Sequence, residues 1–248
     1  FDKSLDGRRA RLVDYGLRGP EVIADAVRQV IGQPDLDDES ALGCVLDPAR
    51  NRRRLEPLDV SAHSPLMRTL HHANYTFKKK LSHSADSQDQ RHRMVPASRP
   101  LLTRTVPGFV DVVEPELIAS DPACHDLFRE SVEAAWEARS RLLELGAPAE
   151  LALYVLPNAL AVRFEESGSL LHLLHKWSMR TCLNAQREIF EASLDEIEQV
   201  RAVHPQLVKH VGPPCAVRSG LVRPRCTEGS HFCGVPVWRS FPDIQRRI

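Results

Sequence analysis

Three consecutive side chains near the middle of the chain have the chemistry to hold a large anion. Arg91, His92 and Arg93 stand together, and Gln88 precedes them. Arginine offers a planar fork of donors that fits a phosphate or a carboxylate, and histidine can donate or accept a proton near neutral pH. Adjacent residues cannot all face one side of a regular element. The trio would therefore engage a large ligand, such as a dinucleotide, from several directions, or else form a solvated helix end.

A second group of reactive residues lies near the carboxyl end. Cys215, Cys226, His231 and Cys233 follow one another in a segment rich in glycine and proline. Thiolate and imidazole groups on a backbone that turns freely are what a structural zinc ion needs. The spacing departs from the usual cysteine pairs, so packed thiols without a metal are an alternative, and a disulfide or an iron–sulfur cluster is a weaker one. We expect residues 211–248 to form a Cys/His-rich tail with a candidate zinc site.

Other polar runs have simpler interpretations. The arginines at positions 50 and 52–54 could meet phosphate, but most charge runs form a solvated surface, and that is our expectation for them. His172 and His175 lie three residues apart on a predicted helix, which brings them to one face. No carboxylate is obviously placed with them, so we do not expect a metal site there.

Composition restricts the function classes. The chain of 248 residues carries 33 Lys and Arg against 33 Asp and Glu, so it has no overall field that attracts nucleic acid or a membrane surface. No apolar run approaches the roughly 20 residues of a membrane span. Cys44, Cys124 and Cys182 are scattered, which is typical of reduced thiols and favours the cytoplasm. The chain begins Phe-Asp-Lys without Met or a signal region, which favours part of a longer polypeptide.

The elements that must position these residues are both strands and helices. Residues 9–16 and the stretch with Tyr75 and Phe77 read as strands, and residues 158–164 as a shorter one. Apolar spacing predicts a helix from Pro20 to a stop at Gly32, a helix over residues 126–146 and one long helical stretch over 170–203. The alternation of strands and helices contains too few crossover units to require a parallel sheet.

Several segments stand in the order and spacing of a known family. Thr76-Phe77, Ser82, Gln88 and the Arg-His-Arg trio are in register, and further matches are His63–Leu66, Val155–Pro157, Trp177–Ile189 and residues 9–23. Over about residues 9–205 the chain thereby resembles the flavin-dependent thymidylate synthases. The resemblance implies an α+β fold, with a mixed or antiparallel sheet packed against long helices. We expect a domain over residues 1–210 of this kind, followed by the tail over 211–248.

The resemblance also implies a reaction. Members of the family bind FAD and transfer a methylene group from methylenetetrahydrofolate to C5 of dUMP, and NADPH reduces the flavin. The protein chiefly positions ligands and stabilises charge, since there is no cysteine nucleophile. The family is typically a homotetramer with active sites between subunits, so a homo-oligomer, most simply a tetramer, is expected here.

Individual roles follow from the matching positions. The resemblance implies that Arg91, His92, Arg93 and His175 bind the flavin. It implies Gln88, Arg180 and Gln186 as substrate-binding residues, with Arg180 meeting dUMP as the catalytic residue. Arg99, from the loop between Pro96 and Pro100, is a further substrate-binding candidate.

The chain departs from the family pattern at several positions. Leu101 and Thr103 stand where the family has serine and arginine, and Leu153 replaces another arginine. The remaining departures are Arg99 for a glutamate, Ser169-Leu170-Leu171 for an Asn-x-Arg segment, and His175 for an asparagine. Losing several groups that bind a phosphate should abolish dUMP affinity unless Ser98, Arg99 or Arg163 compensates. Two hypotheses follow: an active but divergent synthase, or a non-catalytic copy of the fold in a tandem protein.

Overall fold

One antiparallel sheet organises the chain, whose computed structural model describes residues 1–56, 61–244 and 246. Its strands are β1 (Ala10–Tyr15), β2 (Asn74–Ser82), β3 (Ala97–Ser98) and β4 (Ala161–Ser169). Their order is β1-β2-β4-β3, and every pair is antiparallel. With helices packed around this sheet, the predicted α+β class is confirmed, and the sheet is antiparallel over the described strands.

The helices range from single turns to one of more than six turns. They are α1 (Asp2–Leu5), α2 (Gly19–Ile31), α3 (Asp38–Leu46), α4 (Pro65–Arg68), α5 (His83–Asp89), α6 (Leu102–Thr105), α7 (Glu116–Ala119), α8 (Pro122–Glu144), α9 (Ala149–Ala152), α10 (Leu170–Arg180), α11 (Arg187–Val203) and α12 (Pro214–Val217). Short 3-10 turns lie between them, including Arg52–Leu55 and Leu153–Val155. Among the described residues, no helix has both the length and the apolar character needed to span a bilayer.

The predicted first strand and first long helix are confirmed as β1 and α2. Pro20 occupies the first turn of α2, where its missing N–H costs no helical hydrogen bond. Gly32 ends the helix at φ 69°, a left-handed conformation that glycine adopts without steric cost. The strand around Tyr75 and Phe77 is confirmed as β2.

The prediction of one long helical stretch over residues 170–203 is wrong, because the chain breaks into α10 and α11. The intervening residues carry short polar side chains that bind backbone groups, which favours helix ends. Thr181 Oγ1 donates to the Trp177 carbonyl at 2.7 Å, and Asn184 Nδ2 donates to the His231 carbonyl at 2.8 Å. Gln186 then adopts a non-helical conformation as the N-cap of α11. The break brings the start of α11 close to α5.

The inner face of the sheet carries a charge as well as apolar groups. Along β2, alternate side chains point to the same face, and Tyr75, Phe77, Lys79 and Leu81 are all buried. Helices α10 and α11 cover this face. Lys79 therefore lies in the protein interior, where it needs acidic partners.

Those partners form a buried charge cluster, which consists of Lys79, Asp89, Glu166, Lys176 and Glu196. All five side chains are fully inaccessible to solvent. Lys79 Nζ lies 3.0 Å from Asp89 Oδ2 and 2.8 Å from Glu196 Oε1. Lys176 Nζ lies 3.2 Å from Asp89 Oδ1 and contacts Glu166. The cluster thus joins β2, β4, α5, α10 and α11.

Three carboxylates share the two ammonium groups, and their pKa values diverge as a result. Burial opposes ionisation of Asp89, but Lys176 and Lys79 outweigh it and hold the pKa of that carboxyl well below its usual range. The same lysines lower the pKa of Glu196 despite its burial. Burial raises the pKa of Glu166 to about 7, with the charges of Asp89 and Glu196 adding to the effect. Glu166 is therefore the carboxyl of the cluster that takes up a proton most readily.

We predict that Lys79→Met destabilises the protein by about 3–5 kcal/mol, because it leaves buried carboxylates without their cation. The adjacent Lys78→Met is a matched control. Lys78 points to the other face of β2, is 29% exposed and lies 3.8 Å from Glu165, so its loss should change the free energy of unfolding by no more than about 1 kcal/mol. Urea unfolding of both variants measures the difference. Equal effects would show that the cluster is no more important than a surface ion pair.

Candidate functional site

The site begins where β2 runs into α5. Ser82 caps α5, since its Oγ accepts a hydrogen bond from the Ala85 N–H at 3.0 Å. Ser82 Oγ in turn donates to Glu188 Oε2 at 2.6 Å, and the Ser82 N–H donates to the other oxygen of the same carboxylate at 2.5 Å. Glu188 lies in the first turn of α11. This bidentate contact fixes the end of β2 against the start of α11.

Helix α5 delivers the Arg-His-Arg trio to a tight turn. The His92 N–H donates to the Asp89 carbonyl at 3.0 Å, and the Val95 N–H donates to the His92 carbonyl at 2.9 Å. Asp89 belongs to the buried charge cluster, and Val95 is 3% exposed. The turn is therefore anchored at both ends, while Arg91 and Arg93 extend to the surface.

Arg180, the last residue of α10, reaches across to this turn. Its Nε donates to His92 Nε2 at 2.8 Å, and its Nη2 donates to the Gln88 carbonyl at 3.0 Å. Burial lowers the pKa of Arg180, and the charge of Asp89 opposes this effect. The Gln186 N–H lies 3.4 Å from Gln88 Oε1. The predicted site residues thus converge, although 88 to 98 positions separate the bonded partners. They are Gln88, His92, Arg180 and Gln186.

The contact with Arg180 determines the protonation of His92. A guanidinium can only donate, so His92 Nε2 must accept and carries no proton. Burial lowers the pKa of His92 to about 3, and the charges of Arg180 and Lys176 add to that effect. At neutral pH the ring is therefore neutral, with its proton on Nδ1, which is available to donate to a ligand. The His175 ring lies 5.8 Å from the His92 ring, and burial lowers the pKa of His175 as well.

A cavity of about 460 Å³ lies beside these residues. Its lining includes Arg91, His92 and Arg93 from the turn and His172 and His175 from α10. Apolar side chains also line the cavity: Met67, Met94, Val95, Leu171 and Leu174. Its size is within the usual range for small-molecule sites, and so is its mixture of apolar surface with a few polar groups.

Part of the cavity lining was not predicted from the sequence. Arg53 and Arg54, from the 3-10 turn Arg52–Leu55, line it together with Glu56. We expected this arginine run to be a solvated surface; Arg53 is exposed, whereas Arg54 is partly buried and departs from that expectation. A run of like charges gives no signal that distinguishes solvated side chains from side chains that face a cavity.

Arg99 lies apart from that cavity. Its Nε donates to Asp86 Oδ1 at 2.8 Å, its Nη2 lies 3.6 Å from Asp89 Oδ2, and its guanidinium stacks on Phe164. Arg163 is likewise engaged, because its guanidinium bridges Asp2 and Asp111. Both arginines already have carboxylate partners, so neither is a free anion receptor in this arrangement. The substrate-binding role of Arg99 stays a prediction.

The positions that depart from the family pattern are dispersed. Leu171 is 6% exposed and lines the cavity with His175, whereas Leu101 is 72% exposed at the start of α6. Thr103 lies within α6, and Leu153 begins a 3-10 turn. The wall of the cavity formed by α10 is thus more apolar than the pattern predicts.

The carboxyl-terminal tail gives no support to the zinc hypothesis. In the part of the chain that the structure describes, no group of three or more His, Cys, Asp and Glu side chains is arranged to hold a metal ion. Of the proposed ligands Cys215, Cys226, His231 and Cys233, the histidine is exposed, and its backbone carbonyl accepts from Asn184. Burial raises the pKa of the Cys215 thiol, and the charges of Cys182, Cys226 and Cys233 raise it further, to about 11. The thiol of Cys182, which the zinc hypothesis did not include, thus affects Cys215 together with Cys226 and Cys233.

Contacts join the tail to the remainder of the chain. Ser178 Oγ donates to the Gly212 carbonyl at 2.9 Å, and Arg218 donates to the Leu55 carbonyl. The division into a domain over residues 1–210 and a tail over 211–248 stays a prediction.

Other cavities hold fewer of the predicted site residues, although one of them is lined by Gln186. One of about 850 Å³ lies beside α2 and α3 and has an acidic rim that includes Asp37, Asp38 and Asp47. Another, of about 630 Å³, is bordered by Ser82, Gln186 and Glu188. Gln88 and Arg180 do not line the cavity beside the Arg-His-Arg turn, but Arg180 bonds to His92, which does. We therefore take that cavity as the candidate site.

The depressed pKa of His92 predicts a pH dependence of stability. The unfolded histidine takes up a proton near pH 6.5, whereas the folded one does so only near pH 3. Between these values the unfolded state binds more protons, so stability falls as pH falls, by at most about 1.4 kcal/mol per pH unit for this group. His172, His175 and His210 also have lowered pKa values and contribute with the same sign.

His92→Asn should therefore reduce the slope of unfolding free energy against pH, measured by urea unfolding between pH 5 and 7. His125→Asn is the control, since His125 lies at the surface against Glu114. An unchanged slope in the His92 variant would contradict the neutral, buried assignment.

Comparison with known proteins agrees with this geometry. The family described as thymidylate synthase complementing protein matches residues 11–206. A flavin-dependent thymidylate synthase of Geobacter sulfurreducens is 30% identical over 193 residues, which cover 74% of this chain and 80% of that protein. One of Saccharolobus solfataricus is 31% identical over 62% of this chain and 60% of that protein. One of Clostridium tetani is 24% identical over 92% of this chain and 94% of that protein.

The family match spans the sheet, the Arg-His-Arg turn and both α10 and α11. It ends before the tail, so residues 211–248 lie outside it. A match over most of the chain, together with these relatives, establishes that this protein belongs to the thymidylate synthase complementing protein family.

Proposed function

We propose that this protein is a flavin-dependent thymidylate synthase that converts dUMP to dTMP. The observation that carries the proposal is the convergence of Gln88, His92 and Arg180 beside a cavity lined by Arg91 and Arg93. The family membership and the names of the relatives support the same function. Methylenetetrahydrofolate as carbon donor, NADPH as reductant and a cytoplasmic location belong to the same proposal.

The residues present fit a flavin. The apolar strip of Met67, Leu171 and Leu174 suits a flat aromatic ring, and the arginines at its edge suit phosphate. Arg91, His92, Arg93 and His175 would hold the cofactor. Neutral His92 and His175 add hydrogen-bonding groups to the cavity without adding charge.

When bound, the flavin supplies the hydride that completes the reduction of the transferred methylene group to a methyl group. The contribution of the chain is positioning and electrostatics. Arg180 keeps its charge near the Arg-His-Arg turn, and two of its nitrogens are already fixed on His92 and Gln88. Its remaining N–H donors are the groups that would bind an anionic nucleotide. His92 holds a proton at Nδ1, where it can donate to a ligand in the cavity.

The alternative is a non-catalytic copy of the fold. The replacements at Leu101, Thr103, Leu153 and Leu171 motivate it, since they remove groups that the family pattern assigns to ligands. The comparisons do not favour this alternative, because the relatives are named as synthases. It is the outcome to which a failed flavin experiment would lead.

The absorbance spectrum of the purified protein after incubation with FAD tests the proposal. We expect a flavin band that stays with the protein through gel filtration and shifts when dUMP is added. Arg180→Lys should raise the Kd for dUMP by about 10- to 100-fold, because the lysine loses the planar fork that binds the anion.

Arg141→Lys is the matched control for that variant. Arg141 lies on α8, where it pairs with Glu144 at the surface, and should leave the dUMP titration unchanged. No retained flavin in the unmodified protein would exclude the synthase proposal for this chain alone.

A homotetramer is the assembly that we propose. Apolar side chains are strongly exposed on one region of the chain: Leu117, Leu127, Leu145, Leu151 and Tyr154 are between 59% and 85% exposed. On α8, only Val132 and Trp136 are buried, although the apolar spacing predicts a wider buried stripe. Exposed apolar surface of this kind is typical of subunit contacts.

Sedimentation equilibrium should therefore give about four times the chain mass of 27.9 kDa. Leu151→Asp together with Tyr154→Asp should reduce the mass toward that of a monomer, since both changes introduce charge into the exposed apolar region. A monomeric parent protein would contradict the proposed assembly.

A further inference from the structure

Arg54 is a partly buried arginine whose charge has no acidic partner among the described residues. Its Nη2 lies 3.5 Å from the His210 carbonyl, at the limit of a hydrogen bond, and its Nε is buried without a partner. Burial lowers the pKa of Arg54 to about 10, and no carboxylate of the described residues counteracts that effect. Nearby Arg218, in contrast, is buried but contacts Glu56 and donates to the carbonyls of Leu55 and Pro224.

A guanidinium that is partly withdrawn from water, with one nitrogen buried and unpaired and no anion beside it, costs free energy. Such an arrangement is expected where the missing anion is a ligand. Arg54 lines the same cavity as the Arg-His-Arg turn, so a ligand in that cavity can reach it.

The other charges of the cavity favour the same class of ligand. Its described lining carries four guanidinium groups, on Arg53, Arg54, Arg91 and Arg93, against the one carboxylate of Glu56. The pKa of His172 and that of His175 are lowered by burial, so these two rings are neutral at pH 7. The described lining therefore holds more cationic than anionic side chains, and Arg54 is one of them.

We infer that Arg54 is a phosphate receptor, which binds a phosphate group of the ligand held in this cavity. Two sources share that chemistry: the diphosphate of the flavin and the phosphate of the nucleotide. Naming these two ligands rests on the proposed function, whereas the presence of an anion receptor does not. The planar fork of Arg54 can donate two hydrogen bonds to one phosphate.

Binding to pairs of ligands with and without phosphate tests the inference and identifies the source. Quenching of flavin fluorescence gives the Kd for FAD, FMN and riboflavin, and calorimetry gives the Kd for dUMP and deoxyuridine. If Arg54 binds the flavin, Arg54→Gln should raise the Kd for FAD and for FMN by about 10- to 100-fold. The Kd for riboflavin should rise by less than about 3-fold. If Arg54 binds the nucleotide, the Kd for dUMP should rise to the same extent, and the Kd for deoxyuridine should not change.

Arg52→Gln is the matched control. Arg52 belongs to the same 3-10 turn, is exposed and does not line the cavity, so its loss should leave every Kd within about 2-fold. The unfolding midpoint of Arg54→Gln without ligand should equal or exceed that of the parent protein, because the variant removes an uncompensated charge. If this variant does not fold, Arg54→Lys replaces it, with an expected weakening of about 3- to 10-fold for the phosphate ligands alone.

Inorganic pyrophosphate separates this inference from the proposed function. It should raise the Tm of the parent protein and of Arg52→Gln but not that of Arg54→Gln. If this pattern holds and no flavin binds, the synthase proposal fails and the phosphate receptor stands. If FAD binds and the Arg54 variant raises the Kd of no phosphate-bearing ligand by more than 3-fold, the inference is overturned and the synthase proposal stands.

Discussion

Two buried lysines constrain the structure more than any other groups. Lys79 and Lys176 each need carboxylates within about 3 Å, and they share Asp89, Glu166 and Glu196. Because a desolvated charge tolerates neither a missing partner nor a displaced one, the cluster fixes β2, β4, α5, α10 and α11 relative to one another.

The candidate site inherits its geometry from this cluster. Asp89 ends α5, and its carbonyl accepts from His92, so the same residue that neutralises the lysines also sets the Arg-His-Arg turn. Lys176 lies one helical turn before Arg180 on α10. The contact between Arg180 and His92 therefore depends on charges that no ligand touches, and the neutral state of His92 depends partly on Lys176.

Sequence reasoning succeeded where a local rule dominates. Gly32 after an apolar stripe predicts the end of α2. The family resemblance assigns Gln88, His92 and Arg180 to one site, and the structure shows them in contact. It failed where distant contacts decide. At the break between α10 and α11, Asn184 bonds to the tail, a contact that the local sequence does not predict. The burial of Lys79 follows from strand alternation, since it shares a face with Phe77 and Leu81, but its partners come from three other elements. The zinc hypothesis considered only neighbours in sequence and omitted Cys182.

The contact between Glu188 and Ser82 has a consequence for how the protein folds. The two residues are separated by 106 positions, and the contacts of Arg180 with His92 and of Gln186 with Gln88 span 88 and 98 positions. Contacts that close loops of this length form slowly, because chain entropy is lost before they stabilise anything. The candidate site should therefore be among the last regions to become ordered. A nascent chain would lack it until α11 had left the ribosome, and a ligand of this site would act only on the finished fold.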